Sequence, residues 1–290
     1  MSDERENKNA VFTQQVPTGV DPRMPRTTAA EKMRSDFGLE VPQEIVPLPS
    51  AGKTYPADSS LHGVELVEIK AMTAREEDIL TSRALIKKGT VISELIKSCL
   101  IDRSINPLDM LSGDRNALMV AIRITGYGPS YDVDMECNEC NVKSPRSFDL
   151  GALAIKRLEI DPVVLGTNAF EFKLPYSGKV ARFKFMTGRD EEDIVALGDK
   201  QKKLGLGTES GVTTSLLYAL VSVDGIDDRS KLANFVKMMP ARDSLALRNY
   251  IKDNEPGIVM KQEVSCPSCG HAEEVNMPMG VTFLWPAAGR

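Results

Sequence analysis

The feature that most constrains the fold of this chain is a pair of Cys-x-x-Cys turns that lie far apart in the sequence, Cys137-Asn-Glu-Cys140 and Cys266-Pro-Ser-Cys269. Two intervening residues allow both thiolates of a turn to face one point while turn amides face the sulfurs. One turn supplies only two ligands, whereas structural zinc is almost always held by four. The two turns together therefore predict one structural Zn²⁺ per chain.

An internal duplication explains the long separation between the two turns. Two motifs occur twice in the same order: Leu48-Pro-Ser-Ala-Gly52-Lys53 as Leu174-Pro-Tyr-Ser-Gly178-Lys179, and Met72-Thr73-Ala-Arg-Glu-Glu as Met186-Thr187-Gly-Arg-Asp-Glu. An alternating strand is predicted after the first motif, over residues 64–69 and 180–185. The second motif reads as a helix start, with Thr73 and Thr187 as N-caps and acidic residues in the first turn.

Two further helices are predicted in each half from apolar spacing. The second helix contains Leu95, Ile96, Cys99 and Leu100 in the first half and Leu216, Leu217, Leu220 and Val221 in the second. The third contains Arg115, Leu118 and Ile122, against Arg242, Leu245 and Tyr250, with Pro240 suited to its first turn. This alignment sets Cys99 opposite Leu220, as a buried thiol, and leaves the third helix's charges in solvent. Strands over residues 131–135 and 259–264 then lead into the cysteine turns, and Phe148 and Val275 open the return strands.

These patterns predict an α+β fold made of two tandem repeats that share one four-cysteine, zinc-ribbon-like site. The predicted boundaries are an extended arm over residues 1–44, a first repeat over 45–157 and a second repeat with a carboxyl tail over 158–290. The arm is rich in proline and holds one short helix candidate beginning at Thr28. It is either a mobile tail or a segment that orders on a neighbouring subunit.

Composition and charge limit the cellular compartment and the classes of partner that we expect. No apolar run is long enough to cross a bilayer, and the amino terminus lacks a signal-peptide pattern, so we expect no membrane span. Five cysteines among 290 residues are too few for a disulfide-stapled scaffold and favour a reducing, cytosolic setting. The net charge is −5, from 36 basic and 41 acidic residues, so nucleic acid is a poor default partner.

Other uses of the cysteines are two redox-active dithiols or four free thiols. Because four thiolates complete a zinc shell, we expect His271 to contact solvent or to support the ligands rather than bind the metal. Catalytic zinc keeps an open position, and His62 and His271 form no recognisable catalytic pattern, so the chain is not expected to be an enzyme. Gly52-Lys53-Thr54 also fails as a phosphate loop, since Pro47 stands where that loop requires glycine, and a tight turn is expected instead.

Several short motifs occur in a familiar order: the Leu-Pro-Ser-x-Gly start, the Met-Thr-x-Arg-Glu-Glu helix opening, Gly126-Tyr-Gly128-Pro129 before a cysteine turn, and Phe283-Leu-Trp285-Pro286 near the end. With this set, about residues 45–290 resemble the T4-type bacteriophage baseplate hub proteins. The resemblance implies a non-enzymatic component or assembly factor of a contractile-tail baseplate. Such a protein would be assembled in the bacterial host cytoplasm, dock onto other baseplate subunits in an oligomeric assembly and reside in the virion tail.

Two other functions remain open at this stage. The first is a zinc-ribbon regulator that binds nucleic acid or RNA polymerase, and the second is a zinc-dependent hydrolase or deaminase. The apolar end formed by Phe283, Leu284 and Trp285 is either a docking anchor or a cap on the protein's own core.

Overall fold

The computed structural model describes residues 40–203, 211–277 and 281–284. The predicted arm up to residue 39, its Thr28 helix and Trp285 lie outside this part of the chain. The described α-helices are α1 Ala74–Thr81, α2 Arg83–Lys88, α3 Val91–Cys99, α4 Ser112–Tyr127, α5 Gly188–Lys203, α6 Gly211–Ala219, α7 Arg229–Met238, α8 Ala241–Asn254 and α9 Val281–Leu284. The strands are β1 Gln43–Pro47, β2 Leu66–Lys70, β3 Ser130–Glu136, β4 Lys143–Asp149, β5 Ile155–Lys156, β6 Phe170–Lys173, β7 Val180–Phe183, β8 Leu220–Val223, β9 Gly257–Ile258, β10 Lys261–Ser265 and β11 Ala272–Asn276.

All the strand pairs in the described residues are antiparallel, and the sheets are small. β1 pairs with β2, and β6, β7 and β8 form a three-stranded sheet. Two hairpins, β3–β4 and β10–β11, carry the cysteine turns at their tips. The short strands β5 and β9 pair with each other and connect the two halves of the chain. Mixed helices and small antiparallel sheets agree with the predicted α+β class.

The second predicted helix ends earlier than expected in the second half of the chain. α6 stops at Ala219, and Leu220 and Val221 belong to β8, where Leu220 pairs with Phe183. Their prediction as helix was wrong, because Leu220, Ser222 and Val223 pair with β7 and extend its sheet. In the first half, Leu100 follows α3 directly and bridges to Ile69.

Leu100 and Leu220 therefore occupy matching positions, directly after α3 and α6. Cys99 matches Ala219, whereas the sequence had set it opposite Leu220. Cys99 itself is buried, which confirms its predicted role as a small apolar side chain. Burial raises the pKa of the Cys99 thiol to about 12, so the group stays protonated at neutral pH.

α1 begins after Thr73, as the sequence predicted, and Glu76 completes a capping box with it. The carboxylate of Glu76 accepts hydrogen bonds from the amide of Thr73 at 3.0 Å and from its hydroxyl at 2.6 Å. Lys70 Nζ donates to the other carboxylate oxygen at 2.6 Å. Glu76 is fully buried, and its charged hydrogen bonds connect the end of β2 to the start of α1. These bonds act in addition to the interaction of the carboxylate with the helix dipole.

The start of α5 has the same arrangement. The carboxylate of Asp190 accepts from the Thr187 amide at 3.0 Å and from the Thr187 hydroxyl at 2.8 Å. Lys184 Nζ donates to both oxygens of Asp190 at 2.7 Å. One lysine, one threonine and one carboxylate therefore perform the same task in both halves.

The helices predicted as the third of each half are α4 and α8, and each begins at a buried carboxylate that holds a Leu-Pro turn. On α4, Asp114 accepts from the amide of Ser50 at 2.9 Å and from the hydroxyl of Tyr55 at 2.5 Å. On α8, Asp243 accepts from the amides of Tyr176 at 2.7 Å and Ser177 at 3.0 Å. Both carboxylates are fully buried, and they satisfy turn amides that would otherwise need water.

These carboxylates correct the alignment of the third helix. Asp114 corresponds to Asp243, so the fully buried Leu118 matches the fully buried Leu247, and Leu245 is instead half exposed. The prediction that the charges of this helix are solvated was wrong for Asp114 and Arg115 on α4 and for Asp243 on α8, which are all buried. The Arg115 guanidinium donates to the Pro107 carbonyl and the Ser93 hydroxyl, which satisfies it inside the core.

The predicted tight turn at Gly52 is confirmed. Gly52 has a φ of +70°, and a Cβ atom there would lie 2.3 Å from the amide nitrogen of Val64. The return strands, by contrast, open earlier than predicted. β4 begins at Lys143 and β11 at Ala272, so Phe148 and Val275 lie near the ends of these strands rather than at their starts.

The two halves of the chain share one apolar core and are joined by backbone contacts. The amide of Ser112 donates to the Met186 carbonyl at 2.9 Å, and the amide of Gly188 donates to the Met110 carbonyl at 3.0 Å. Phe283 is buried with its ring edge-on to Tyr131, at a centroid distance of 5.2 Å. Phe283 therefore caps the core. No described helix is long and apolar enough to cross a membrane.

Candidate metal centre

The two β-hairpins bring the four predicted cysteines to one point. Cys137 Sγ lies 3.8 Å from Cys269 Sγ, and Cys140 Sγ lies 3.7 Å from Cys266 Sγ. All four sulfur atoms lie within 4.8 Å of one another. Each of the two short distances joins one hairpin to the other, so the group is shared between the halves.

The two turns have the same backbone conformation. In the first, the amide of Cys137 donates to the Val142 carbonyl, and the amide of Asn141 donates back to the Cys137 carbonyl. In the second, the amide of Cys266 donates to the His271 carbonyl, and the amide of Gly270 donates back to the Cys266 carbonyl. Asn141 and Gly270 have φ values of 55° and 75°, a conformation that asparagine and glycine adopt most readily.

The sulfur positions fit a tetrahedral metal ion. Zinc–thiolate bonds of about 2.3 Å place the sulfurs of a regular tetrahedron about 3.8 Å apart. The two short distances across the cluster, 3.7 and 3.8 Å, agree with this spacing. A disulfide would require about 2.05 Å. Four sulfur donors are the ligand set of structural zinc sites and leave no open tetrahedral position for a substrate or water.

The electrostatics of the cluster also favour a bound cation. The amide of Cys269 and the guanidinium of Arg146 lower the pKa of Cys266 to about 5. The amide of His271 lowers the pKa of Cys269, but partial desolvation and the three neighbouring thiols outweigh it and raise that pKa to about 12. Four thiolates this close repel one another, so full ionisation needs a positive ion among them.

The four cysteines differ in their exposure to solvent. Cys137 and Cys266 are buried, Cys140 is half-buried and Cys269 is exposed. His271 is exposed, and the group of potential metal ligands found among the described residues comprises the four cysteines alone. Its backbone nevertheless takes part in the turn, since its amide faces Cys269 Sγ and its carbonyl accepts from the Cys266 amide.

Sequence reasoning missed one residue beside the cluster, Arg146 on β4. This side chain is 6% exposed, and its Nη1 donates to the Ser265 carbonyl of the other hairpin at 2.9 Å. Nothing in the sequence distinguishes Arg146 from a surface arginine. Only the packing of one hairpin on the other brings its guanidinium to Cys266.

Comparison with known proteins identifies a family that covers most of the chain. A family model described as T4 bacteriophage base plate protein matches residues 44–285, a range that contains both cysteine hairpins. No curated protein and no solved structure matches the chain.

Proposed function

This chain belongs to the family of T4 bacteriophage base plate proteins, and we propose that it is a structural or assembly component of the hub of a contractile-tail baseplate. Membership implies a location in the phage tail and contacts with other tail proteins. The observation that carries the proposal is the length of the match, which runs from residue 44 to residue 285. The proposed role is docking onto other baseplate subunits, without catalysis.

The metal centre has a mechanical role in this proposal. Cys137, Cys140, Cys266 and Cys269 hold one Zn²⁺ that joins the hairpin of the first half to that of the second. Zinc supplies folding free energy here, because the four thiolates come together only when both halves are folded. The crossed sulfur distances of 3.8 and 3.7 Å support a single shared ion. The protein's own part is to fix both turns and to exclude water from Cys137 and Cys266.

We also propose that the halves are homologous repeats over residues 45–157 and 158–290, preceded by an arm over 1–44 that docks onto a neighbouring subunit and whose last two residues begin β1. Three parallels support the repeats. They are the Lys–Thr–carboxylate arrangements at α1 and α5, the buried aspartates Asp114 and Asp243, and the matching cysteine turns.

Localisation in phage particles tests the assembly role. An antibody to a tagged chain should label the baseplate end of tails in negative-stain images, or the chain should co-sediment with baseplate intermediates from infected cells. A tagged capsid protein provides the control, since its label belongs at the head. Label on neither tails nor intermediates, together with co-purification of RNA polymerase or a salt-sensitive shift of DNA, would support the zinc-ribbon regulator instead.

A further inference from the structure

We propose that Arg146 is a positioning residue of the metal centre, holding Cys266 from the opposite hairpin and thereby slowing release of the ion. The inference rests on the proposed zinc site. It adds a residue outside the ligand set and assigns to it the retention of the metal.

The contacts of Arg146 cross from one hairpin to the other. Its guanidinium donates through Nη1 to the carbonyl of Ser265 at 2.9 Å. Ser265 directly precedes Cys266, so Arg146 holds the backbone from which this ligand extends. A planar, rigid guanidinium fixes the position of that backbone better than a flexible ammonium would.

The burial of Arg146 favours a nearby negative charge, and the cluster provides one. A buried guanidinium is costly unless it is paired. Among the described residues, none of the ion pairs to Asp or Glu involves Arg146, and its buried Nε has no hydrogen-bond partner. Four thiolates around a divalent ion carry a net charge of about −2. A loaded cluster, one residue along the chain from Ser265, therefore supplies a negative charge that offsets the charge of Arg146.

The equivalent position of the second hairpin lacks this charge. Val275 lies as far after Cys266 in the sequence as Arg146 lies after Cys137, and the strand pairing agrees: Arg146 faces Val133 on β3, and Val275 faces Gln262 on β10. Only the first hairpin therefore places an arginine at this position. It acts on Cys266, a ligand that the second hairpin contributes.

Loss of Arg146 should accelerate metal release. Substitution of a residue that orients a metal ligand typically costs 10- to 100-fold in metal affinity. We expect Arg146→Met, which keeps the aliphatic stem and removes the charge, to release zinc about 10-fold faster than the wild type. Arg146→Lys keeps the charge without the fork of donors, so its rate should lie between the two.

The test is the rate of zinc transfer from the full-length, zinc-loaded protein to the coloured chelator 4-(2-pyridylazo)resorcinol. Arg123→Met is the matched control. Arg123 is 3% exposed and donates to the carbonyls of Gly128 at 2.9 Å and Ser130 at 3.0 Å, without contacting a cysteine. That variant should lose thermal stability yet release zinc at the wild-type rate, which separates metal retention from general destabilisation.

The outcomes distinguish the inference from the proposed function. A wild-type protein without zinc would refute the proposed zinc site itself. One zinc per wild-type chain, with wild-type release rates in Arg146→Met, would overturn the inference alone. Accelerated release in Arg123→Met to the same extent would also overturn it. Should Arg146→Met fail to fold, Arg146→Lys takes its place, and a release rate equal to that of the wild type contradicts the inference.

Discussion

The sulfur atoms of Cys140 and Cys266 lie 3.7 Å apart, although 126 positions separate the two residues in the chain. Closing a loop of this length in a flexible chain costs on the order of 4 kcal/mol of conformational entropy. A metal ion that binds both residues removes that freedom from the unfolded chain if it stays bound there, and otherwise stabilises the folded state by mass action. Either way, the ion contributes to stability through the joining of the two hairpins.

Removal of one ligand should therefore weaken the whole fold rather than one turn. We expect Cys266→Ser to lose the stoichiometric zinc and to lower the free energy of unfolding by about 4 kcal/mol. Chelator should destabilise the wild type by a similar amount and leave Cys266→Ser almost unchanged. Thermal unfolding followed by circular dichroism, with and without chelator, measures both effects.

Cys99→Ala is the matched control for this substitution. It removes a fully buried thiol that lies outside the cluster. We expect it to retain one zinc and to cost about 1 kcal/mol, the loss of a small buried group. If Cys266→Ser proved as stable and as responsive to chelator as Cys99→Ala, a stabilising zinc site shared by the two hairpins would be ruled out.

Glu76 should make the folded state sensitive to acid. Burial would raise its pKa, but hydrogen bonds from Lys70, Ser98 and Thr73 outweigh burial and lower that pKa from 4.5 to about 2. Because the folded pKa lies below the unfolded one, the stabilisation is fully present above pH 4.5 and is lost as the pH falls towards 2. Glu76→Gln should cost on the order of 3 kcal/mol at pH 7 and progressively less in acid.

Denaturant unfolding of wild type and Glu76→Gln over this pH range measures the difference. Thiolate–metal bonds weaken in acid in both proteins, so this effect cancels in the difference between their free energies of unfolding. Glu94→Gln, on the exposed face of α3, provides a surface carboxyl as control and should show little difference at any pH. A Glu76→Gln difference that stays constant from pH 7 to pH 3 would contradict the assignment.

Two glycines in helices should respond to alanine with opposite signs. A Cβ atom at Gly113 on α4 would lie 1.8 Å from the carbonyl oxygen of Pro256, so the two backbones could not approach as they do. We expect Gly113→Ala to cost about 3 kcal/mol, by overpacking where the halves meet. A Cβ atom at Gly198 on α5 meets nothing within 4 Å, and Gly198→Ala should add about 0.5–1 kcal/mol. Equal effects, measured by denaturant unfolding, would refute the close contact.

The sequence was most informative where local chemistry decides the structure. The N-caps at Thr73 and Thr187, the turn at Gly52 and the burial of Cys99 each depend on a few adjacent residues, and all are observed. The convergence of the four cysteines was also predicted, because a tetrahedral site needs four ligands and each turn supplies two.

The sequence was less informative where tertiary contacts override local patterns. Leu220 and Val221 have helical spacing, yet pairing with β7 draws them into a strand. Charge on α4 suggested a solvated face, although Asp114 and Arg115 find their partners on distant segments. Arg146 was missed for the same reason, since its partner Ser265 lies 119 positions away.

Metal analysis of the purified wild-type protein tests the central claim most directly. The protein should be prepared in a reducing buffer without added zinc, and its metal content measured by atomic spectroscopy against protein concentration from amino-acid analysis. One shared site between the hairpins predicts about one zinc per chain, and Cys266→Ser should contain almost none. A zinc content near zero, or two zinc ions per chain with each cysteine pair binding its own ion, would contradict the account.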